Sequence, residues 1–198
     1  MLLLLVLIKC VLSKIPPQFE EVVDGENLLF TVLQPYHLAY TYQMKHAYML
    51  GAQFNQEINR TMRNLDLVQA FPVQACTPLE QKFYIPTAVL IERGGCSFTE
   101  KVNHAQDAGA ALVMVTDSVS EWSSRREYVN MIPDASLRIV DIPCVYIGSA
   151  TGRSFREFFE DIDYVIKMDI PVEKLTTPWI HHQRKAPWEY WGEDTWLF

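Results

Sequence analysis

Residues 90–109 have the sequence LIERGGCSFTEKVNHAQDAG, in which a strand end, a glycine turn and a helix follow one another. Gly94 and Gly95 come directly after an apolar run and permit a tight reversal of the backbone, because glycine has no Cβ atom. Ser97 and Glu100 have the spacing of a capping box, in which the first side chain caps the start of a helix. The pattern therefore predicts a strand, a sharp turn and a capped helix.

The predicted helix begins near Phe98 and ends at Gly109, which supplies a left-handed stop. Its apolar positions recur every three or four residues and are expected to face the core: Phe98, Val102, Ala105 and Ala108. Its polar positions are expected to face solvent: Glu100, Asn103 and Asp107. The apolar stretch 110–115 predicts a buried strand after the helix.

The succession of these features resembles the signature of the protease-associated (PA) domain family: a strand, the motif R-G-x-C-x-F, a helix ending in Ala-Gly-Ala, and a second apolar strand. Ile142 and Pro143, followed by an apolar run to Ile147, match a further landmark of that family. The resemblance covers residues 28–171 and implies an α/β fold with a β-sandwich or barrel-like core and two flanking helices. Periodicity alone indicates only mixed strands and helices.

The remaining elements follow from alternating or continuous apolar runs. Strands are predicted at 28–33, 40–44, 65–71, 85–92, 142–147 and 164–170. Ser149 is expected to cap a second helix, because its hydroxyl can accept a backbone hydrogen bond. Four side chains of that helix are expected to point inward: Phe155, Phe158, Phe159 and Ile162.

The chain divides into four predicted parts: a signal peptide at 1–13, an N-terminal lead at 14–27, the PA domain at 28–171, and a Pro/Trp-rich tail at 172–198. With 198 residues, 49% of them hydrophobic, the chain can bury one sizeable core.

The N-terminus carries an unbroken apolar run from Leu2 to Ile8. This run is far shorter than the roughly 20 residues that span a bilayer, and small residues follow it, so a secretory signal cleaved after Ser13 is predicted. The less favoured alternative is a buried strand, since the run shows neither alternation nor a turn. Secretion is the expected destination.

Charge and hydropathy argue against a nucleic-acid-binding surface and against a membrane-spanning segment. A formal net charge of −7 disfavours a nucleic-acid surface, because phosphate binding requires a concentrated basic patch. The longest apolar run after the leader, 108–115, has the length of a strand, so no membrane-spanning segment is predicted.

Removal of the signal leaves three cysteines. In an oxidising compartment we pair Cys76 with Cys96, because they lie in the loop before the 85–92 strand and in the turn after it. The PA resemblance implies the same pairing. Cys144 is expected to be a buried, small hydrophobic residue. A rival pairing of Cys96 with Cys144 stays open, since sequence does not settle connectivity.

Asn59 begins an Asn-Arg-Thr sequon within a variable loop predicted at 45–64. A polar loop of a secreted protein can accommodate a glycan, so we expect glycosylation at Asn59.

The tail contains Trp179, Trp188 and Trp191. We favour a strap that packs over the domain, and the alternative is an exposed recognition peptide.

Candidate protein-binding residues fall in two segments. The PA resemblance implies that the turn lies near bound peptide, as in sorting receptors, and residues 117–138 form a charged insertion typical of a long exposed loop. The candidates are Arg93, Gly94, Gly95 and Ser97 in the turn, and Trp122, Arg125 and Arg126 in the insertion.

Arrangements typical of catalysis were not found in the sequence. It contains no His-Glu-x-x-His or Cys-x-x-Cys motif, and Ser149 directly follows a glycine, unlike the G-x-S-x-G elbow. Cys96 and His104 are eight residues apart across a helix start, a poor spacing for a nucleophile and its base. We expect no catalytic residue, no metal and no cofactor.

These observations favour a secreted, non-enzymatic module that binds a protein of the secretory pathway or the extracellular space, because PA domains recruit protein ligands, sort cargo or lie over the active sites of peptidases. The alternative is an accessory or regulatory subunit of a secreted peptidase. In both hypotheses, the chain itself is not an enzyme.

Overall fold

The computed structural model describes residues 27–46, 58, 60–118, 129, 131, 134–135, 138–161, 165–170, 184 and 186–188. Within these ranges the chain forms seven strands, one 3-10 turn and two α-helices. The strands are β1 Asn27–Gln34, β2 Thr41–His46, β3 Met62–Gln69, β4 Thr87–Glu92, β5 Leu112–Thr116, β6 Cys144–Ile147 and β7 Ile166–Ile170. The helices are α1 Phe98–Asp107 and α2 Ser149–Asp161.

The strands close into a barrel in the order β1-β2-β6-β5-β4-β3-β7. Strands β3, β4, β5 and β6 are parallel neighbours, whereas the other pairs are antiparallel. The carboxyl ends of β4, β5 and β6 therefore meet along one rim of the barrel. The α/β fold with a barrel-like core and two helices is confirmed.

Two apolar layers explain why β4 and β5 read as continuous hydrophobic runs. Alternate residues of a strand point to opposite faces, so Leu90 lies in the barrel interior whereas Ile91 packs under α1. Phe155 of α2 joins the interior layer, where its ring lies 5.2 Å from that of Tyr42. All six residues of β4 are buried, as expected for a parallel strand covered on both faces.

Helix α1 agrees with the prediction at both ends. The Oγ of Ser97 accepts a hydrogen bond from the backbone N–H of Glu100, and Gly109 has a φ of +92°. One expectation was wrong: Asn103 is buried, because its amide Nδ2 donates to the carbonyl oxygen of Thr99 at 2.9 Å and needs no solvent.

The second helix and the last strand also follow the predicted pattern, with small shifts at their ends. Helix α2 begins at Ser149 itself rather than after it. Phe155 is fully buried, and Phe158 and Phe159 are partly buried against the same interior layer. In β7 buried and half-buried residues alternate, as predicted for a half-buried strand.

Several predictions concern residues outside the described ranges. They are the signal peptide at 1–13, the lead at 14–26, Ile162, most of the tail, the sequon residue Asn59, and the insertion residues Trp122, Arg125 and Arg126.

Candidate functional site

The glycine turn stands on the rim formed by the carboxyl ends of the parallel strands. Gly94 and Gly95 are both exposed and have φ values of +102° and +81°. A Cβ atom at position 95 would lie 2.6 Å from Oε1 of Gln74 and 2.9 Å from Sγ of Cys76. Glycine is therefore required at position 95 for two reasons: its backbone conformation, and the close approach of the loop that carries Gln74 and Cys76.

A disulfide between Cys76 and Cys96 joins that loop to the turn, as predicted, with a Cα–Cα distance of 5.6 Å. Cys144 is a free, buried thiol on β6, so the rival pairing with Cys96 is wrong. Burial in apolar surroundings raises the pKa of the Cys144 thiol, because the charged thiolate is disfavoured there. Cys144 thus behaves as the small hydrophobic residue that was expected.

Beneath the turn lies a buried lysine that the sequence analysis missed. Lys101 of α1 has no exposed surface, and its Nζ donates hydrogen bonds of 2.5 Å to the carbonyl oxygens of Gln74 and Gly94. The same Nζ lies 3.4 Å from Sγ of Cys76. One ammonium group therefore contacts both sides of the disulfide-linked junction.

Desolvation lowers the pKa of Lys101 to about 8, although the negative charges of Glu100 and Glu92 act in the opposite direction. The sequence did contain a signal for this burial. Lys101 stands three residues after Phe98 and four before Ala105, within the apolar stripe of the helix. A charged residue in a buried stripe indicates a specific partner, because an unpaired buried charge is costly.

Arg93 is bonded to the next strand instead of extending freely into solvent. Its Nη1 lies 3.3 Å from Oδ1 of Asp117, which is fully buried, and its backbone N–H donates to the carbonyl oxygen of Thr116 at 2.8 Å. The side chain of Arg93 is 26% exposed, so part of it still faces solvent. This residue both anchors the turn and contributes to its surface.

Ser97 connects the turn to the insertion. Besides capping α1, its hydroxyl donates a 2.5 Å hydrogen bond to Oδ2 of Asp134, whose own backbone N–H donates to Oγ1 of Thr99 at 3.2 Å. The described part of the insertion therefore contacts the start of α1. Of the seven predicted binding residues, the structure brings the four turn residues together and does not describe the three in the insertion.

A buried ion pair links α2 to the same rim. Nη1 of Arg156 contacts Oε1 of Glu92, the last residue of β4, and both residues are buried. These partners are 64 residues apart, and no local spacing in the sequence indicates their pairing. The pair neutralises two buried charges directly behind the turn.

The cysteine and histidine considered as a nucleophile and base have other roles. Cys96 is in the disulfide, and Nδ1 of His104 lies 2.8 Å from the carbonyl oxygen of Ala75. In the described ranges, no three His, Cys, Asp or Glu side chains are close enough to hold a metal ion.

The described tail residues pack on the domain. The backbone N–H of Thr41 donates to the carbonyl oxygen of Arg184 at 2.8 Å, and Ala186 is buried in the interior layer. Nε1 of Trp188 donates to Oγ1 of Thr151 at 3.1 Å. At these positions the contacts are those of a strap, whereas Trp179 and Trp191 lie outside the described ranges.

None of the described helices has the length and apolar character required to cross a membrane.

Comparison with known proteins agrees with this geometry. A family model described as "PA domain" matches residues 64–155, a range that includes the turn, the disulfide and α1. The "PRADC1-like protein" of Drosophila melanogaster is 29% identical over 181 residues, which cover 89% of this chain and 88% of that protein.

Two plant proteins match a shorter segment. "Vacuolar-sorting receptor 7" of Arabidopsis thaliana is 35% identical over 113 residues, 56% of this chain and 17% of the receptor. "Signal peptide peptidase-like 2" of the same plant is 32% identical over 113 residues, 54% of this chain and 20% of that protein. The chain thus spans a fifth or less of these two relatives. From the family match, the barrel and the disulfide-linked turn, we conclude that the chain contains a PA domain and is similar over most of its length to the PRADC1-like protein.

Proposed function

We propose that the chain is a secreted, non-enzymatic glycoprotein that binds another protein through the exposed turn at 93–97. The observation that carries this proposal is the way the turn is held. Its inner side is bonded to Cys76, Lys101 and Asp117, while its two glycines face solvent. A rigid, exposed loop loses little conformational entropy when a partner binds, and such loops are common sites of recognition.

The relatives support recruitment of a protein. A segment of 113 residues matches a protein that is named a sorting receptor. The range matched by the PA-domain family model, 64–155, includes the turn. The resemblance to the PRADC1-like protein extends over 89% of this chain and 88% of that protein.

The absence of catalysis is part of the proposal. The residues that might have acted as a nucleophile and base are bonded elsewhere: Cys96 to Cys76, and His104 to the carbonyl oxygen of Ala75. Ser149, the remaining candidate, is the first residue of α2 and is buried. Partner binding is therefore expected to occur without turnover of the partner.

Secretion and glycosylation rest on the leader, the sequon and the disulfide, which suits an oxidising compartment. Glycosidase treatment of protein from the culture medium should increase its mobility on a gel, and Asn59→Gln should abolish that change. N-terminal sequencing should find a chain that begins near Lys14. A secreted chain that retains Met1 would contradict the signal assignment.

A glycine substitution tests the turn directly. A Cβ atom at Gly94 has its nearest neighbour at 3.8 Å, so Gly94→Asn adds a polar side chain to the exposed surface without a clash, although the positive φ adds some strain. Partners of the tagged, secreted protein should be captured by proximity labelling and then measured against the variant. Glu157→Asn, which places the same side chain on the exposed face of α2, is the matched control.

The expected result is at least tenfold weaker capture with Gly94→Asn and unchanged capture with Glu157→Asn, both variants being secreted normally. Equal capture by the two variants would show that the turn does not bind the partner.

An accessory role toward a secreted peptidase is the second candidate, favoured by the match to a protein named as a peptidase. In that case a peptidase should copurify with the secreted chain, and its hydrolysis of a peptide library should change when the chain is removed. Hydrolysis that persists in the chain purified to homogeneity and is lost in Ser149→Ala would instead refute the non-enzymatic assignment.

A further inference from the structure

We propose that the Cys76–Cys96 disulfide is a site of reversible thiol–disulfide exchange with an external dithiol, in which Cys96 is attacked and Cys76 leaves as a thiolate. The proposal concerns the chemistry of this bond, and it is tested by the redox equilibrium of the two cysteines and not by capture of a partner.

The position of Lys101 makes the two sulfur atoms unequal. An ammonium group has three donors, and two of them are used by the carbonyl oxygens of Gln74 and Gly94 at 2.5 Å. The third has Sγ of Cys76 within reach, at 3.4 Å. A disulfide sulfur is a weak acceptor, whereas a thiolate is a charged one. Cleavage of the bond therefore strengthens the contact between Lys101 and Cys76.

This asymmetry selects the leaving group. In thiol–disulfide exchange the sulfur that leaves must carry the negative charge, and the exchange is faster when that charge is stabilised. The nearby ammonium stabilises a thiolate on Cys76, as a lysine beside a cysteine generally does. Attack at Cys96 Sγ is then preferred, since it expels the sulfur that Lys101 stabilises.

The exchange proceeds in two balanced steps. First, one thiolate of the external dithiol attacks Cys96 Sγ, so that a mixed disulfide forms, the Cys76–Cys96 bond breaks and its electron pair stays on Cys76. Second, the other thiol of the dithiol loses its proton to solvent and attacks the mixed disulfide. The external dithiol leaves as an oxidised disulfide, and Cys96 is released as a thiolate that takes a proton from solvent. The protein gains two electrons and the dithiol loses two.

The surroundings allow both access and reversal. Cys76 and Cys96 are each partly exposed, and Gly95, which precedes Cys96 in the turn, is exposed. Lys101 bridges Gln74 and Gly94, and His104 contacts the carbonyl oxygen of Ala75, through atoms outside the sulfur–sulfur bond. We therefore expect these contacts to outlast cleavage and to keep the two thiols close enough to form the bond again.

The third cysteine does not compete for this exchange. Cys144 is buried on β6 beside the sulfur of Met131, and burial raises the pKa of its thiol.

The charged groups that act on the Lys101 ammonium are Glu100 of α1 and Glu92 of β4.

The test measures the redox equilibrium of the full-length secreted protein. The wild-type chain, Lys101→Met and Lys82→Met are equilibrated at pH 7 in mixtures of reduced and oxidised dithiothreitol, quenched with an alkylating reagent and mapped by mass spectrometry. Lys82→Met is the matched control: it removes an equal charge from an exposed lysine that donates to the carbonyl oxygen of Asp107, away from the disulfide.

We expect Lys101→Met to lower the equilibrium constant for reduction by about threefold to tenfold, in keeping with the effect of a neighbouring cation on a thiol. Lys82→Met should match the wild type. Mixed disulfides trapped early in the reaction should be found on Cys96. An unchanged equilibrium constant in Lys101→Met, or trapping mainly on Cys76, would overturn the proposal.

A second measurement uses the wild-type chain alone and decides the matter if Lys101→Met does not fold. In the reduced protein, the alkylation rate of each cysteine is followed against pH. Cys76 should reach its half-maximal rate at least about two pH units below 8.5, the value of an unperturbed thiol, because a smaller shift would not change the equilibrium at pH 7 by threefold. A midpoint for Cys76 at or above that value would equally refute the proposed role of Lys101.

Discussion

Gly152 of α2 packs directly against Thr116 at the end of β5, so closely that a Cβ atom on residue 152 would lie 1.8 Å from Oγ1 of Thr116. The same atom would lie 2.5 Å from Cβ of Thr116, so rotation of the threonine side chain does not remove the clash. This contact sets how near the second helix approaches the rim that carries the turn. The glycine is required by tertiary packing, and its φ is not positive.

Gly152→Ala should therefore destabilise the fold by about 1–3 kcal/mol, because the added methyl group forces α2 away from β5. Urea unfolding with the disulfide intact measures the change. Gly148→Ala is the matched control, since a Cβ atom there meets nothing within 4 Å. Its effect should stay below about 1 kcal/mol. Similar losses in both variants would show that the contact with Thr116 is unimportant.

The buried pair of Arg156 and Glu92 provides a second prediction. Removal of one partner in Arg156→Met leaves a buried carboxylate without its counter-charge, and we expect a loss of about 3–5 kcal/mol in the free energy of unfolding. The double variant Arg156→Met with Glu92→Gln should be more stable than the single one, because no charge is then left unpaired. Additive losses in a double-mutant cycle would contradict the pairing.

The lowered pKa of Lys101 leads us to expect that the free energy of unfolding rises with pH. Its pKa is about 8 in the folded chain, against the usual value of 10.5, so between these values the unfolded chain binds a proton that the folded chain has lost. The free energy of unfolding should therefore increase as the pH rises from about 8 to 10.5, by up to about 3 kcal/mol.

Urea titrations of the oxidised protein at several pH values measure this rise. It should vanish in Lys101→Met and persist in Lys82→Met, whose lysine is exposed. An identical pH dependence in the two variants would show that Lys101 does not cause it.

The tail residue Trp188 is expected to stabilise the domain. Its ring lies 6.3 Å from that of Tyr40, and its Nε1 donates to Thr151. Trp188→Ala should lower the free energy of unfolding by about 2 kcal/mol, and Trp188→Phe, which keeps an aromatic ring, by about 1 kcal/mol. Tyr84→Ala serves as control, since that side chain is 93% exposed. If Trp188→Ala is as stable as the wild type, the strap interpretation fails at this residue.

How much of the site could be predicted depended on the distance along the chain between the interacting groups. The cap formed by Ser97 and Glu100 and the stop at Gly109 were predicted correctly, since both are determined by backbone groups a few residues away. The burial of Asn103 was not, because a single period of three to four residues does not show that a polar side chain can bond to its own helix.

Lys101 lies between these two cases. Its place in the apolar stripe was visible, but its partners Gln74 and Gly94 come from a preceding loop and from the turn. The disulfide was predicted from the positions of the two cysteines on either side of the 85–92 strand, from the oxidising compartment and from the family resemblance. The ion pair of Arg156 and Glu92 joins residues 64 positions apart, and no spacing or motif near either residue indicates the pairing.

By itself, then, the sequence determined the local elements of this protein: the glycine turn, the capped helix and the apolar strands around them. It did so because hydrogen bonds and side-chain periodicity within a few residues specify such elements. Only the tertiary structure decided that seven strands close into a barrel, that Gly152 must fit against Thr116 and that Lys101 sits beneath Gly94. Those contacts depend on strand order and on the approach of distant segments, because packing and desolvation act through space and not along the chain.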